Sequence, residues 1–236
     1  MADITPHRHG AGMPRCNQQL PTGGRCQRKR ARGRDTCGID HANPKARTYG
    51  RAGGSLGHMA GQYGGKGIWG QKGERATAQI LAKALGSDPD VVILHDLSIP
   101  GFDANVDHVV VKGNRVFILD SKVWKPGFYW RFGHRCMRGW KSFPPAGKKT
   151  VGMAVDRYRA ALTQAKVPVQ VTGLLVVHPS KAGAKLSTGW LRSPNGVGIH
   201  VVGPDTGARL ARMVGKGQAQ TDERLVSWLA SLARAA

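Results

Sequence analysis

Four consecutive apolar residues, Val116-Phe117-Ile118-Leu119, run directly into Asp120-Ser121-Lys122. A strand that is apolar at successive positions is covered on both faces, so it belongs inside a sheet with layers on either side. A carboxylate at the end of such a strand is costly to bury unless something compensates its charge. The neighbouring segments fit that frame. Residues 106–111 read as a strand, and Lys112-Gly113-Asn114-Arg115 reads as a tight turn into residues 116–123, which makes a hairpin. Val91-Val92-Ile93-Leu94 is a short β-branched strand, and residues 127–141 suggest a further hairpin. Helices are expected over 73–85, closed by Gly86, and over 154–165, with Val155, Tyr158 and Leu162 on one face. Residues 169–177 and 197–202 read as strands, and 205–214 and 222–233 as helices. A helix, a strand meander, a helix and a further strand predict an α/β domain with a central mixed β-sheet flanked by helices.

Charge narrows the function. The chain has 36 Lys and Arg against 14 Asp and Glu, a formal charge of +22. An enzyme for small neutral molecules has no use for that excess, whereas a surface that sits on phosphates does. Residues 1–72 hold 13 basic and 3 acidic residues, the more lopsided part by density. No apolar run is long enough to cross a membrane, and the N-terminus lacks the layout of a secretory signal. The expected location is therefore the cytoplasm, where four cysteines read as metal ligands or thiols rather than disulfides.

Three regions follow from composition: residues 1–43, a Gly-rich linker over 44–72, and a folded domain over 73–236. The first region has little to bury but contains Cys16, Cys26, Cys37 and His41, a tetrahedral zinc set whose metal would supply its folding energy. It resembles short Cys3His knuckle-like modules; the alternative is free thiols in a tail. Arg28, Lys29 and Arg30 between the last two cysteines are candidate phosphate contacts. Cys136 reads as a lone thiol.

Asp120 and Lys122 are two apart in a strand and so share a face. If the hairpin register allows, Asp107 lies near Asp120. Two carboxylates in one place raise each other's pKa, and a divalent cation resolves the conflict. Mg²⁺ or Mn²⁺ held by Asp107 and Asp120 suits hydrolysis of a phosphodiester, with Lys122 orienting water or stabilising charge on the phosphate. Glu74, near the start of the first helix, could reach the metal or its waters. An isolated Asp-x-Lys is as readily a surface ion pair; position at the end of a buried strand argues for a site. His108 is expected to be a structural histidine on the strand face opposite Asp107.

Gly73-Glu74 opening a helix, Asp96-Leu97-Ser98-Ile99-Pro100, Val106-Asp107-His108-Val109-Val110-Val111 and Val116-Phe117-Ile118-Leu119-Asp120-Ser121-Lys122 together resemble the nuclease-related domain (NERD) family. That family is similar to the wider PD-(D/E)xK nuclease superfamily. The resemblance covers about residues 73–180. It implies a restriction-endonuclease-like core, acidic site positions at Glu74, Asp107 and Asp120, and a site lysine at Lys122. Asp120 stands where the family more often has Glu, and Ser121 where it often has Val or another apolar residue. Gln164 on the second long helix falls about where such folds place a polar helper.

Residues 124–149 contain seven basic residues and no acid, interleaved with aromatics. Lys125, Arg131, Arg135, Arg138 and Lys141 are candidate nucleic-acid contacts beside the site. The aromatics are open between core packing and stacking on unpaired bases. The expectation is a Mg²⁺- or Mn²⁺-dependent deoxyribonuclease, in the first instance an endonuclease, joined to a zinc module and able to act as a homodimer. The alternatives are a non-catalytic nucleic-acid-binding protein that retains the fold, and an RNA-directed nuclease.

Overall fold

A computed structural model describes residues 46–53, 65–147, 149–191, 197–215 and 220–233. Cys16, Cys26, Cys37 and His41, and with them Arg28, Lys29 and Arg30, lie outside the described residues. The strands are β1 (Arg47–Tyr49), β2 (Val91–Ser98), β3 (Asn105–Lys112), β4 (Arg115–Trp124), β5 (Gly127–Phe132), β6 (Arg135–Arg138), β7 (Lys141–Ser142), β8 (Gln170–Pro179), β9 (Leu186–Trp190) and β10 (Gly198–Val201). The helices are α1 (Gly65–Leu85), α2 (Thr150–Gln164), α3 (Thr206–Gly215) and α4 (Glu223–Ser231).

Six strands form the central sheet in the order β1-β2-β3-β4-β8-β10. β2, β3 and β4 are an antiparallel meander, while β1, β8 and β10 join in parallel, so the sheet is mixed. The tight turn at 112–115 pairs Lys112 with Arg115. β4 is central and buried over Val116–Ser121, as its unbroken apolar run requires. One face packs Val116 and Ile118 against Val155, Tyr158 and Leu162 of α2 and Leu225 and Leu229 of α4. The other packs Phe117 and Leu119 against Leu81 and Leu85 of α1 and Leu210 and Val214 of α3. Both layers are dominated by aliphatic side chains, so burial of apolar area supplies most of the stability. Gly173 on β8 lets α2 approach closely, since a Cβ there would stand 2.9 Å from both Val151 Cγ1 and Val155 Cγ2. Asp222 starts α4 by accepting the Arg224 backbone N–H at 2.9 Å.

Two departures concern the stretch read as a linker. The structure places β1 within it, parallel to β2 and tied to α4 by an Arg47–Glu223 ion pair of 2.6 Å. α1 also begins eight residues before position 73. Gly65, Gly67 and Gly70 disguise this helical start, because glycine is unfavourable in helix interiors. Just after this start, Gln71 Nε2 donates to the Gly53 carbonyl at 3.2 Å and ties the helix to the segment that follows β1. The hairpin expected over 127–141 is present as β5 and β6, but it belongs to a separate four-stranded sheet, β7-β6-β5-β9. β9 had no counterpart in the expectation from sequence. No helix among the described residues is long and apolar enough to cross a membrane.

Candidate active site

The pairing of β3 with β4 ends at His108 and Leu119, and the next positions along the two strands are Asp107 and Asp120. The two acids therefore stand where the strands part. Asp107 closes the gap: its Oδ2 accepts the Ser121 backbone N–H at 2.6 Å, replacing a lost ladder bond. Asp120 is ion-paired with Lys122. β4 continues alongside β8 past this point, with Asp120 opposite Leu175 and Lys122 opposite Val177. The site thus rests on a rigid central strand.

α1 delivers Glu74. At Gly73 the helix lies directly on β4; a Cβ there would come within 2.8 Å of Val123 Cγ2. One turn later Thr77 Oγ1 accepts from Ser121 Oγ at 2.8 Å and meets His178 Nε2 at 2.7 Å. These contacts fix the helix, so that Glu74 faces the charges of Lys122, Asp96 and Asp120. Ser121 is thereby part of this helix-to-sheet contact.

A fourth acid was not assigned a site role from sequence. Asp96 sits on β2 between the His95–His108 and Leu97–Val106 pairs, in a left-handed conformation with φ of 56°. Such a φ is uncommon for a residue other than glycine. It switches the phase of the strand: Val92 and Leu94 face α2 and α4 before it, and Leu97 and Ile99 do so after it. Asn105 Nδ2 donates to Asp96 Oδ1 at 2.7 Å. Its position in the motif was the available signal; its left-handed backbone was not readable.

Glu74, Asp96, Asp107 and Asp120 are all at most 9% exposed, with Lys122 the cation among them. Burial, partly offset by Lys122 and reinforced by Asp96 and Asp120, pushes the Glu74 carboxyl up to about 7. Burial and the charge of Asp120 raise Asp107 well above the ordinary carboxylate range. Burial alone would lower Lys122, but the carboxylates of Asp120, Asp107 and Glu74 outweigh it, so the ammonium is held protonated. About 40% of the Lys122 side chain is open to solvent, which leaves the cation accessible to an incoming anion.

Behind the acids, His95 Nδ1 and His108 Nδ1 are 2.8 Å apart in a buried pair. Burial depresses His95; burial and the neighbouring His95 depress His108 further, so both rings are neutral near pH 7. His108 is fully buried, and β3 does not keep simple alternation beside it: Val106 and Val109 face the same core. Gln164 is exposed at the end of α2, before β8 begins opposite Arg115. That is the end of β4 away from Asp120, so Gln164 is not a helper at this site.

Beyond Lys122 the chain turns into the second sheet. Trp124, Tyr129 and Phe143 pack together with ring centroids 4.9, 5.3 and 5.0 Å apart, beneath the sheet with Cys136. Lys125, Arg135 and Lys141 are exposed, while Arg131 and Arg138 are half-buried. Residues 69–178 match the family model of the nuclease-related domain, NERD. The match supports the NERD family for this segment and gives it a nuclease-related character. The matching segment covers just under half of the chain and contains Glu74, Asp96, Asp107, Asp120 and Lys122. No match was found among curated proteins or among solved structures.

Proposed function

We propose that the chain is a metal-dependent nuclease that hydrolyses DNA phosphodiester bonds at Glu74, Asp107, Asp120 and Lys122. The observation that carries this reading is the surplus of buried carboxylates over the single ammonium among them, inside a NERD-matching segment. Such a cluster is unfavourable by itself and favourable around a divalent cation. Its donors are hard oxygens, the chemistry that Mg²⁺ or Mn²⁺ prefers. Among the described residues no three His, Cys, Asp or Glu side chains stand ready as a closed metal cage. Mg²⁺ does not need one, because it keeps several waters and takes one or two carboxylates plus a phosphate oxygen. Asp107 and Asp120 would hold the cation, and Glu74 would act on its water. When bound, the cation supplies Lewis acidity and neutralises charge on the phosphate. Lys122 Nζ, protonated and partly exposed, stabilises the charge that develops on the non-bridging oxygens. Glu74, with a pKa near neutrality, is suited to hold or pass a proton at the attacking water. Lys125, Arg135 and Lys141 place the phosphate backbone.

The test is cleavage of plasmid, linear and single-stranded DNA and of RNA, with Mg²⁺ and with EDTA. The expected result is Mg²⁺-dependent loss of DNA. Binding without cleavage in any arm would favour the non-catalytic alternative, and cleavage of RNA alone the RNA-directed one. With one such site among the described residues, double-strand cuts would require two copies acting together. For the Cys16, Cys26, Cys37 and His41 set we propose one bound Zn²⁺. Elemental analysis of purified protein should return about one zinc per chain, and its absence from fully folded protein would refute this part.

A further inference from the structure

The second sheet carries an aromatic face that the packing of the domain does not use. Cross-strand neighbours point to the same side. Trp130 pairs with Met137 on β6 and with Trp190 on β9, and Phe132 pairs with Arg135. Phe128, Trp130 and Phe132 alternate with buried Tyr129 along β5, so they face away from the core. Trp140 stands edge-on to Trp130, with ring centroids 6.2 Å apart. Phe132 is 77% exposed, Trp140 90% and Trp190 76%. Trp130 is fixed by its Nε1–H, which donates to the Gly139 carbonyl at 2.7 Å.

Isolated exposed apolar side chains are ordinary, but several large rings on one rigid sheet face mark a binding surface. Charge identifies the occupant. β5, β6, β7 and β9 contain no Asp or Glu, and neither do residues 124–149 or 157–204. Arg135 lies on the aromatic face, paired with Phe132. Cations that track phosphates, interleaved with rings that stack on bases, suit a strand whose bases are unpaired. A duplex hides its base faces and would need only the cations. The face also leads to the acidic site: Phe128 follows Lys122 by six residues, a reach of at most about 20 Å.

We propose that this sheet face is a stacking platform for single-stranded DNA, which it presents to the site at Glu74, Asp107, Asp120 and Lys122. The presentation step rests on the nuclease reading; the binding step does not. The test is fluorescence anisotropy with the full chain in EDTA, where no cleavage interferes. The probes are a labelled oligothymidylate of about twenty nucleotides and a duplex of about equal length. The single strand should bind at least about tenfold more tightly at equal salt and quench the intrinsic tryptophan fluorescence. The triple variant Phe132→Ala, Trp140→Ala, Trp190→Ala removes only exposed rings. It should lose at least about tenfold in single-strand affinity with duplex affinity changed by less than about threefold. Equal affinity for both probes, or a triple variant that binds the single strand as wild type does, overturns the platform. Tighter binding of oligouridylate would assign it to RNA instead. A wild-type dimer that the triple variant dissolves would assign the face to a second copy and likewise refute the proposal. Failure of Mg²⁺-dependent cleavage would remove the nuclease reading while leaving these binding results intact.

Discussion

Asp120→Asn is expected to lower Mg²⁺-dependent DNA cleavage by at least about a thousandfold, roughly 4 kcal/mol in the barrier, with little loss of folding. The side chain sits at the fork of β3 and β4, ion-paired with Lys122 and adjacent to Asp107. Its removal takes away one proposed metal oxygen and one neighbour that keeps the ammonium in place. The fold should tolerate the change, because Asn conserves volume and the variant relieves like-charge crowding that raises Glu74 and Asp107. Lys122 keeps the fields of Asp107 and Glu74, so it is not left a bare buried cation. Binding of DNA in EDTA should stay within about threefold of wild type, since phosphate contacts come mainly from the basic residues. Wild-type cleavage by the variant would show that Asp120 is not part of the reacting centre. Lost cleavage together with lost cooperative unfolding would mean that the substitution broke the fold, and Asp120→Ser would then be the informative comparison.

The sequence showed most where one residue type had to satisfy two demands at once. Val116–Leu119 had to be covered on both sides, which located the central strand, and Asp120 at its end then had to be compensated. The turn at 112–115 set the hairpin register, and that register set Asp107 beside Asp120. Glu74 was legible through its place in a family motif rather than through any helical pattern. What stayed hidden depends on contacts distant in the chain. β1 has three residues and no apolar signature; it is a strand because β2 offers an unpaired edge. The first two turns of α1 are masked by glycines. Leu186–Trp190 received no element from its sequence; mostly exposed in the structure, it is a strand by pairing with β5. The aromatics of 124–149 could not be divided between core and surface without that second sheet. Trp124, Tyr129 and Phe143 went to the core, and Phe132 and Trp140 to the surface. Asp96 joined the site through a left-handed backbone that no spacing rule anticipates.

The second large effect concerns stability without metal, and it separates a cation-binding cluster from a structural one. Glu74 has an ordinary value of 4.5 and a folded value of about 7, raised first by burial and then by Asp96 and Asp120 against the pull of Lys122. The folded state therefore holds this proton more tightly than the unfolded chain does. The resulting stability is fully present below about pH 4.5 and is lost as pH climbs through about 7. A shift of this size corresponds to an effect on the order of 3 kcal/mol, several degrees in Tm for a chain of this length. Asp107 moves in the same direction. The buried histidines oppose them: His95, His108 and His178 are depressed, chiefly by burial, and cost stability as pH falls below their unfolded value of about 6.5. The wild-type profile alone mixes the two, so the decisive quantity is the difference from Glu74→Gln. In EDTA, Glu74→Gln should gain on wild type as pH rises from 5 toward 8, by about 1–3 kcal/mol across the window in urea unfolding. Mg²⁺ should stabilise wild type much more at pH 8 than at pH 5.5, because it competes with protons for the same carboxylates. It should stabilise Glu74→Gln less. A difference curve that is flat between pH 5 and 8 would show that Glu74 is not held protonated by its surroundings. A Mg²⁺ effect equal at both pH values would place cation binding away from this cluster.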